Sequence, residues 1–192
     1  MWKKTTGWLF EVQKRNGILE EKDRRLYEYA YGVLLGRVAI YLITVILGIA
    51  TGNWLEMIVF LLPFTVLRQY AGGIHLEKAG SCMIVSSILV LLCSQYLASD
   101  LIVTWQMRII WLVAVGVIFA MAPVDASSKK LDAKEKKVYR MRTRVILVIE
   151  CAIAGVFSVT GYSLIVKGLM VAHIVLASGL ILGWTKIFLA KS

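Results

Sequence analysis

Apolar residues in this chain gather into six runs, at about 33–50, 54–71, 82–98, 107–122, 144–160 and 164–183. A helix needs about 20 mostly apolar residues to cross a hydrocarbon core of about 30 Å. Inside lipid only helices and closed barrels satisfy their own backbone. Long runs without strand alternation therefore predict an all-α, polytopic membrane protein. Composition agrees: of 192 residues, 59% are hydrophobic and 18% charged, below the roughly 25% charged of a soluble domain, and mean hydropathy is +0.74. The expectation is a single integral-membrane domain over 1–192. Within it lie a cytoplasmic interfacial arm at 1–32, six transmembrane helices at 33–183, and a basic cytoplasmic loop at 123–143. The second run is the weakest, because Glu56 and Pro63 interrupt it; it is read as a kinked span, with a re-entrant element as the alternative.

Charge sets the orientation. Lys3, Lys4, Lys14, Arg15, Lys22, Arg24 and Arg25 precede the first run, and Lys129, Lys130, Lys134, Lys136, Lys137, Arg140, Arg142 and Arg144 follow the fourth. The connections at 51–53 and 161–163 carry no basic residue. Both termini and the even loops are thus expected in the cytoplasm, with the chain multi-pass in the cell membrane. The net charge of +10 follows from this asymmetry and does not point to nucleic acid. Trp2, Trp8, Leu9, Phe10, Leu26, Tyr27 and Tyr29, mixed with basic side chains, suggest an amphipathic N-terminal helix along the inner headgroups of the lipid bilayer. No signal-peptide h-region is visible, so targeting is expected from the first span.

The most informative segment joins the second and third runs: Arg68-x3-Gly72-Gly73-x-His75-x6-Cys82. Gly80 reads as a helix breaker and Ser81 as an N-cap, which places Cys82 at the first helical position. There the positive end of the helix dipole favours the thiolate, the nucleophilic form. On one continuous helix His75 would lie about 10 Å from Cys82, too far for a thiol–imidazole pair. Leu76–Ser81 is therefore expected to bend and fold His75 back. Gly72 and Gly73 offer unobstructed N–H groups for an oxyanion, and Arg68 a group to bind substrate or steady the loop. Each feature has a plainer reading: a structural thiol, an inert histidine, a turn, a positive-inside anchor.

Together these residues resemble the signature of the accessory gene regulator B family, the membrane cysteine endopeptidases of Gram-positive quorum sensing. Ala122-Pro123-Val124-Asp125, running into a Lys-rich loop, resembles the family's second cytoplasmic loop. Ser127-Ser128-Lys129-Lys130-Leu131 departs from the Asn-Lys-Pro type stretch expected there. The resemblance implies that the substrate is an AgrD-like propeptide with an amphipathic leader, a central segment containing Cys or Ser, and an acidic tail. Cys82 is the implied nucleophile and His75 the general base. The thioester formed would be displaced by the substrate's own thiol or hydroxyl, closing a thiolactone or lactone. Lys129, Lys130, Lys134, Lys136 and Lys137 would then help dock the acidic tail.

Among ionisable residues inside the runs, Arg37 and Glu150 are expected to pair and fix the bundle. His173 is expected in hydrogen-bonded packing, and Cys93 and Cys151 as small apolar residues. Gly32, Gly36, Gly48, Gly155, Gly179 and Gly183 permit close helix contact and make a homodimer plausible. No metal cluster, Walker loop or dinucleotide fingerprint is present, so no cofactor is expected. Two alternatives stay open. A peptide or amphiphile exporter would gather Arg37, Glu150 and His173 around a cavity, and a non-catalytic adaptor would use only the basic loops.

Overall fold

The computed structural model describes residues 3–73, 79–99, 103–124 and 132–189; the side chains of 3, 79–83 and 187 are not described. Among the described residues the fold is all-helical: α1 (Lys3–Arg15), a 3-10 turn (Glu21–Asp23), α2 (Arg24–Thr51), α3 (Trp54–Ala71), α4 (Ala79–Ala98), α5 (Trp105–Met121), α6 (Ala133–Thr160) and α7 (Ser163–Leu189). Each of the six apolar runs became one helix. Three segments, Glu21–Thr51, Ala133–Thr160 and Ser163–Lys186, are long and apolar enough to cross a membrane. The described apolar parts of α4 and α5 are shorter, and α3 carries Glu56 and Arg68 within its 18 residues.

Local chemistry starts these helices where it should. At α6, Asp132 Oδ1 accepts from Glu135 N–H (2.7 Å) and Glu135 Oε2 accepts from Asp132 N–H (3.2 Å), a reciprocal capping box. At α5, Thr104 Oγ1 accepts from Met107 N–H (3.3 Å). Pro63 does not break α3, which runs continuously through it. Proline supplies no N–H for the Val59 carbonyl four residues back. That carbonyl faces Gly168 of α7, where a Cβ would stand 3.1 Å from Val59 O and 2.3 Å from Val59 Cγ1. The bare glycine lets α7 lie on α3 where the proline interrupts the ladder.

α7 runs through the middle of the bundle. Leu169, Met170, Val171, Ala172, Leu176 and Leu180 are all buried. One apolar cluster joins Leu67, Ala71, Ala114, Ile118, Ala122, Leu147 and Leu176 of α3, α5, α6 and α7. A second joins Met57, Phe60, Val90, Cys93, Leu97 and Val171 of α3, α4 and α7. α2 stays peripheral and exposes Leu34, Leu42, Ile46 and Ile49, an apolar exterior that suits lipid rather than water.

Contacts fix the helix directions. Gly48 meets Trp54 across the α2–α3 turn, and Arg37 meets Gln69 at the opposite end (3.5 Å), so α2 and α3 are antiparallel. Gly168 meets Val59 and Gly179 meets Arg68, so α3 and α7 are parallel. Of the expected contact glycines, Gly48 and Gly179 do approach a neighbour, whereas Gly32, Gly36 and Gly155 face open space. The arm folds back on the start of α2. Phe10 is fully buried beneath the Arg24 guanidinium, 4.7 Å from its ring centre, and Arg24 also bonds Glu11.

Candidate functional site

The end of α3 forms a seat for the segment leaving α5. Gly72 N–H donates to the Arg68 carbonyl (3.1 Å), closing the helix, and Val124 N–H donates to the Ala71 carbonyl (3.0 Å). Gly72 and Val124 form an isolated parallel bridge. Gly72 has φ +76°, and a Cβ there would lie 2.2 Å from Val124 O. Gly73 has φ +118°, and its Cβ would lie 3.3 Å from Gly179 O of α7. The Gly-Gly pair therefore exists because three backbones meet at this point. One expectation is corrected: Gly72 N–H is already bonded within α3 and is not free to serve an oxyanion.

Arg68 belongs to the same seat. Its guanidinium lies over the Phe64 ring (5.6 Å), and its Nη1 would be 3.5 Å and 3.6 Å from a Cβ on Gly73 and Gly179. It thus faces the α3–α7 contact instead of reaching out as a simple headgroup anchor. The basic start of α6 docks alongside. Tyr139 meets Tyr70 edge-on (5.8 Å), and Arg142 covers Tyr70 (5.4 Å). Arg144 covers Phe119 (4.1 Å) and donates to its carbonyl (3.4 Å). Lys134, Lys137, Arg140 and Arg142 are exposed and Lys136 half-buried. On the arm, by contrast, Lys14 pairs with Glu21 (2.7 Å), Lys22 with Glu20 (2.6 Å), and Arg24 with Glu21 and Glu28. Part of the arm's positive charge is neutralised within the arm.

His75, Lys129 and Lys130 lie outside the described residues. Cys82 is on α4, with its side chain not described. The described part of the helix starts at Ala79, so Ser81 lies within the helix and is not its N-cap, and Cys82 is not the first helical residue. Gly80 falls inside the helix and does not break it. The expected bend over Leu76–Ser81 therefore does not include Ala79, Gly80 or Ser81. Cys93 is buried and Cys151 half-buried, both as free thiols in apolar packing.

Deeper in the bundle lies a polar chain. Trp111 Nε1–H of α5 donates to His173 Nδ1 of α7 (2.8 Å), and His173 Nε2 lies 2.8 Å from Glu150 Oε2 of α6. His173 is fully buried and Glu150 nearly so. The expected Arg37–Glu150 pair is not formed: Glu150 bonds His173, and Arg37 reaches Gln69 (3.5 Å). Imidazole wins because it sits at the same depth one helix away, whereas Arg37 is on the peripheral α2. His173 is in hydrogen-bonded packing as expected. Trp111 gave no signal in the sequence, because an indole in an apolar run reads as packing. Only matching the depths of three runs would have joined it to His173.

The family model for Accessory gene regulator B matches residues 5–189. The chain belongs to this family. Members are involved in processing quorum-sensing peptides. Two curated relatives come from Clostridium perfringens. "Putative AgrB-like protein 2" of strain 13 / Type A is 24% identical over 126 residues. "Putative AgrB-like protein" of strain SM101 / Type A is 27% identical over 127 residues. Each alignment covers 62% of this chain and 58% of the relative, so the match spans somewhat over half of the relatives' length. No solved structure matches the chain.

Proposed function

We propose that the chain is a membrane-embedded cysteine endopeptidase that removes the acidic tail of an AgrD-like propeptide. The observation that carries the reading is the Ala71–Val124 junction. It brings Arg68–Gly73 against Ala122–Val124, so both motif segments of the family resemblance meet at one end of the bundle. The basic start of α6 docks there through Tyr139 and Arg142. Gly73 and Ala79 flank the segment holding His75, and Cys82 lies one turn beyond Ala79.

In the proposed reaction the Cys82 thiolate attacks the scissile carbonyl and the C–N bond to the tail breaks. The amine leaves with a proton from His75. The resulting thioester is then attacked by the substrate's own thiol or hydroxyl. Cys82 departs as thiolate, the proton passes to His75, and a thiolactone or lactone ring closes. Thioester exchange is nearly isoenergetic, so an intramolecular nucleophile competes with water by proximity. The six helices are six spans with both termini cytoplasmic, which places the junction and the α6 basic face on the cytoplasmic side. Arg68 and Gly73 position substrate, and Lys134, Lys136 and Lys137, with Lys129 and Lys130, attract the tail. A homodimer is compatible with the apolar exterior of α2. The exporter reading is weakened, because Arg37 is not gathered with Glu150 and His173.

The test is acylation of Cys82. Purified protein in nanodiscs is incubated with a candidate propeptide and examined by intact mass, with Cys82→Ala and His75→Ala in parallel. The expected result is a hydroxylamine-sensitive adduct on the wild type, absent in Cys82→Ala and strongly reduced in His75→Ala. Tail release persisting in Cys82→Ala would overturn the assignment.

A further inference from the structure

We infer that Trp111, His173 and Glu150 are positioning residues for the peptidase reaction, setting from mid-bundle the geometry of the seat that leads to His75. The inference rests on the proposed function.

The polar chain has a single direction. An indole N–H can only donate, so His173 Nδ1 must present its lone pair to Trp111 (2.8 Å). The imidazole proton then sits on Nε2 and is donated to Glu150 Oε2 (2.8 Å). The two rings are nearly parallel, at 10°. The chain fixes α5, α7 and α6 to one another at one depth in apolar surroundings. There no solvent replaces a lost partner, so removing one member leaves another buried group unsatisfied. The links hold together or fail together.

Each pinned helix then supplies one wall of the seat. α5 continues through Ile118 and Ala122, both buried in the shared apolar cluster, to Val124, whose N–H reaches Ala71 O at 3.0 Å. α6 brings Tyr139 edge-on to Tyr70. α7 brings the Gly179 carbonyl against Gly73. A slip of α5 by one turn is about 5.4 Å, more than the Val124–Ala71 hydrogen bond can survive. A continuous helix carries such a displacement from its middle to its end. Register at Trp111, His173 and Glu150 is therefore register at Gly72 and Gly73.

Two readouts test this on the full chain in nanodiscs: amide exchange at Val124, by NMR on 15N-valine-labelled protein, and the kcat and KM of tail release. Glu150→Gln keeps an acceptor for Nε2–H, Glu150→Leu removes it, and Trp111→Phe removes the donor to Nδ1. Glu150→Gln is expected to stay within about twofold of wild type in both readouts. Glu150→Leu and Trp111→Phe are expected to speed Val124 exchange about tenfold or more and to lower kcat by a similar factor, with KM within about twofold. Wild-type exchange and kcat in both disrupted variants would overturn the inference, as would a loss in Glu150→Gln equal to that in Glu150→Leu. Should Glu150→Leu fail to fold, Trp111→Phe decides alone. Val124 exchange that responds as expected, in a protein whose tail release survives Cys82→Ala, would overturn the proposed nucleophile while upholding the positioning role.

Discussion

A Cβ on Gly72 would stand 2.2 Å from the carbonyl oxygen of Val124, so the end of α3 and the exit from α5 meet with no room for a side chain. The obstructing atom is backbone, tied in turn by the Val124–Ala71 hydrogen bond. Gly72→Ala must therefore separate the two segments, and it also holds alanine at φ +76°. Strain of this kind costs about 1–3 kcal/mol. The variant is expected to melt lower and to lose tail-release activity by more than tenfold, on the order of what a misplaced reacting group costs. Thermal unfolding in detergent and single-turnover cleavage would measure the two effects separately.

Gly168 offers a contrast away from the seat. Its missing side chain lets α7 touch Val59, whose carbonyl Pro63 leaves without its usual helical donor. Gly168→Val is expected to destabilise the bundle by about 1–3 kcal/mol, as overpacking generally does. The kcat of the folded fraction should change little, because this contact lies toward the opposite end from Ala71–Val124. Unfolding curves and active-site-titrated kinetics would check both parts.

The sequence revealed helices more fully than contacts. All six apolar runs became helices because long apolar runs without strand alternation favour pairing of the backbone within each run, and Arg68, Gly72 and Gly73 stood out because Arg, Gly and Gly are costly or breaking at such a place. What the sequence could not reveal was who meets whom. Arg37 and Glu150 sit on different runs as the two obvious opposite charges, yet His173 takes the carboxylate because α7, not α2, runs beside α6. Cys82 is not the first residue of α4, because Gly80 and Ser81, which carry a cap signature, are taken up in the helix. The docking of Val124 on Ala71 runs through a backbone hydrogen bond, and the Gly-Gly pair that makes room for it does not say which segment arrives there.

The basic face of α6 and the basic arm should behave differently. Lys134, Lys137 and Arg140 are exposed, while Lys14 and Arg24 are held by Glu21. Changing Lys134, Lys137 and Arg140 together to Gln is expected to raise KM about tenfold at low salt, with kcat unchanged, and to flatten the dependence of KM on ionic strength. Lys14→Gln is expected to move KM less than twofold, since the charge it removes already has a partner. Kinetics at several salt concentrations with an acidic-tailed peptide would read both, and an equal response to the two changes would contradict the assignment of tail docking to α6.

Thiol reactivity gives the sharpest chemical contrast. Cys93 sits in the apolar cluster of α3, α4 and α7, and Cys151 packs beside the cluster of α3, α5, α6 and α7. Neither lies in the first turn of a helix, and a thiol in apolar packing is a poor nucleophile. Cys82, the proposed nucleophile, stands three residues into the described part of α4, and its proposed role requires the thiolate. Brief treatment with iodoacetamide near neutral pH is therefore expected to modify Cys82 first and to abolish tail release in step with that single modification. A Cys93→Ala, Cys151→Ala protein should keep wild-type kcat, lose roughly 1–2 kcal/mol of stability from truncated packing, and be inactivated at the wild-type rate. Peptide mapping after partial alkylation decides the matter: inactivation tracking Cys93 or Cys151, with Cys82 unmodified, would remove Cys82 from the reaction.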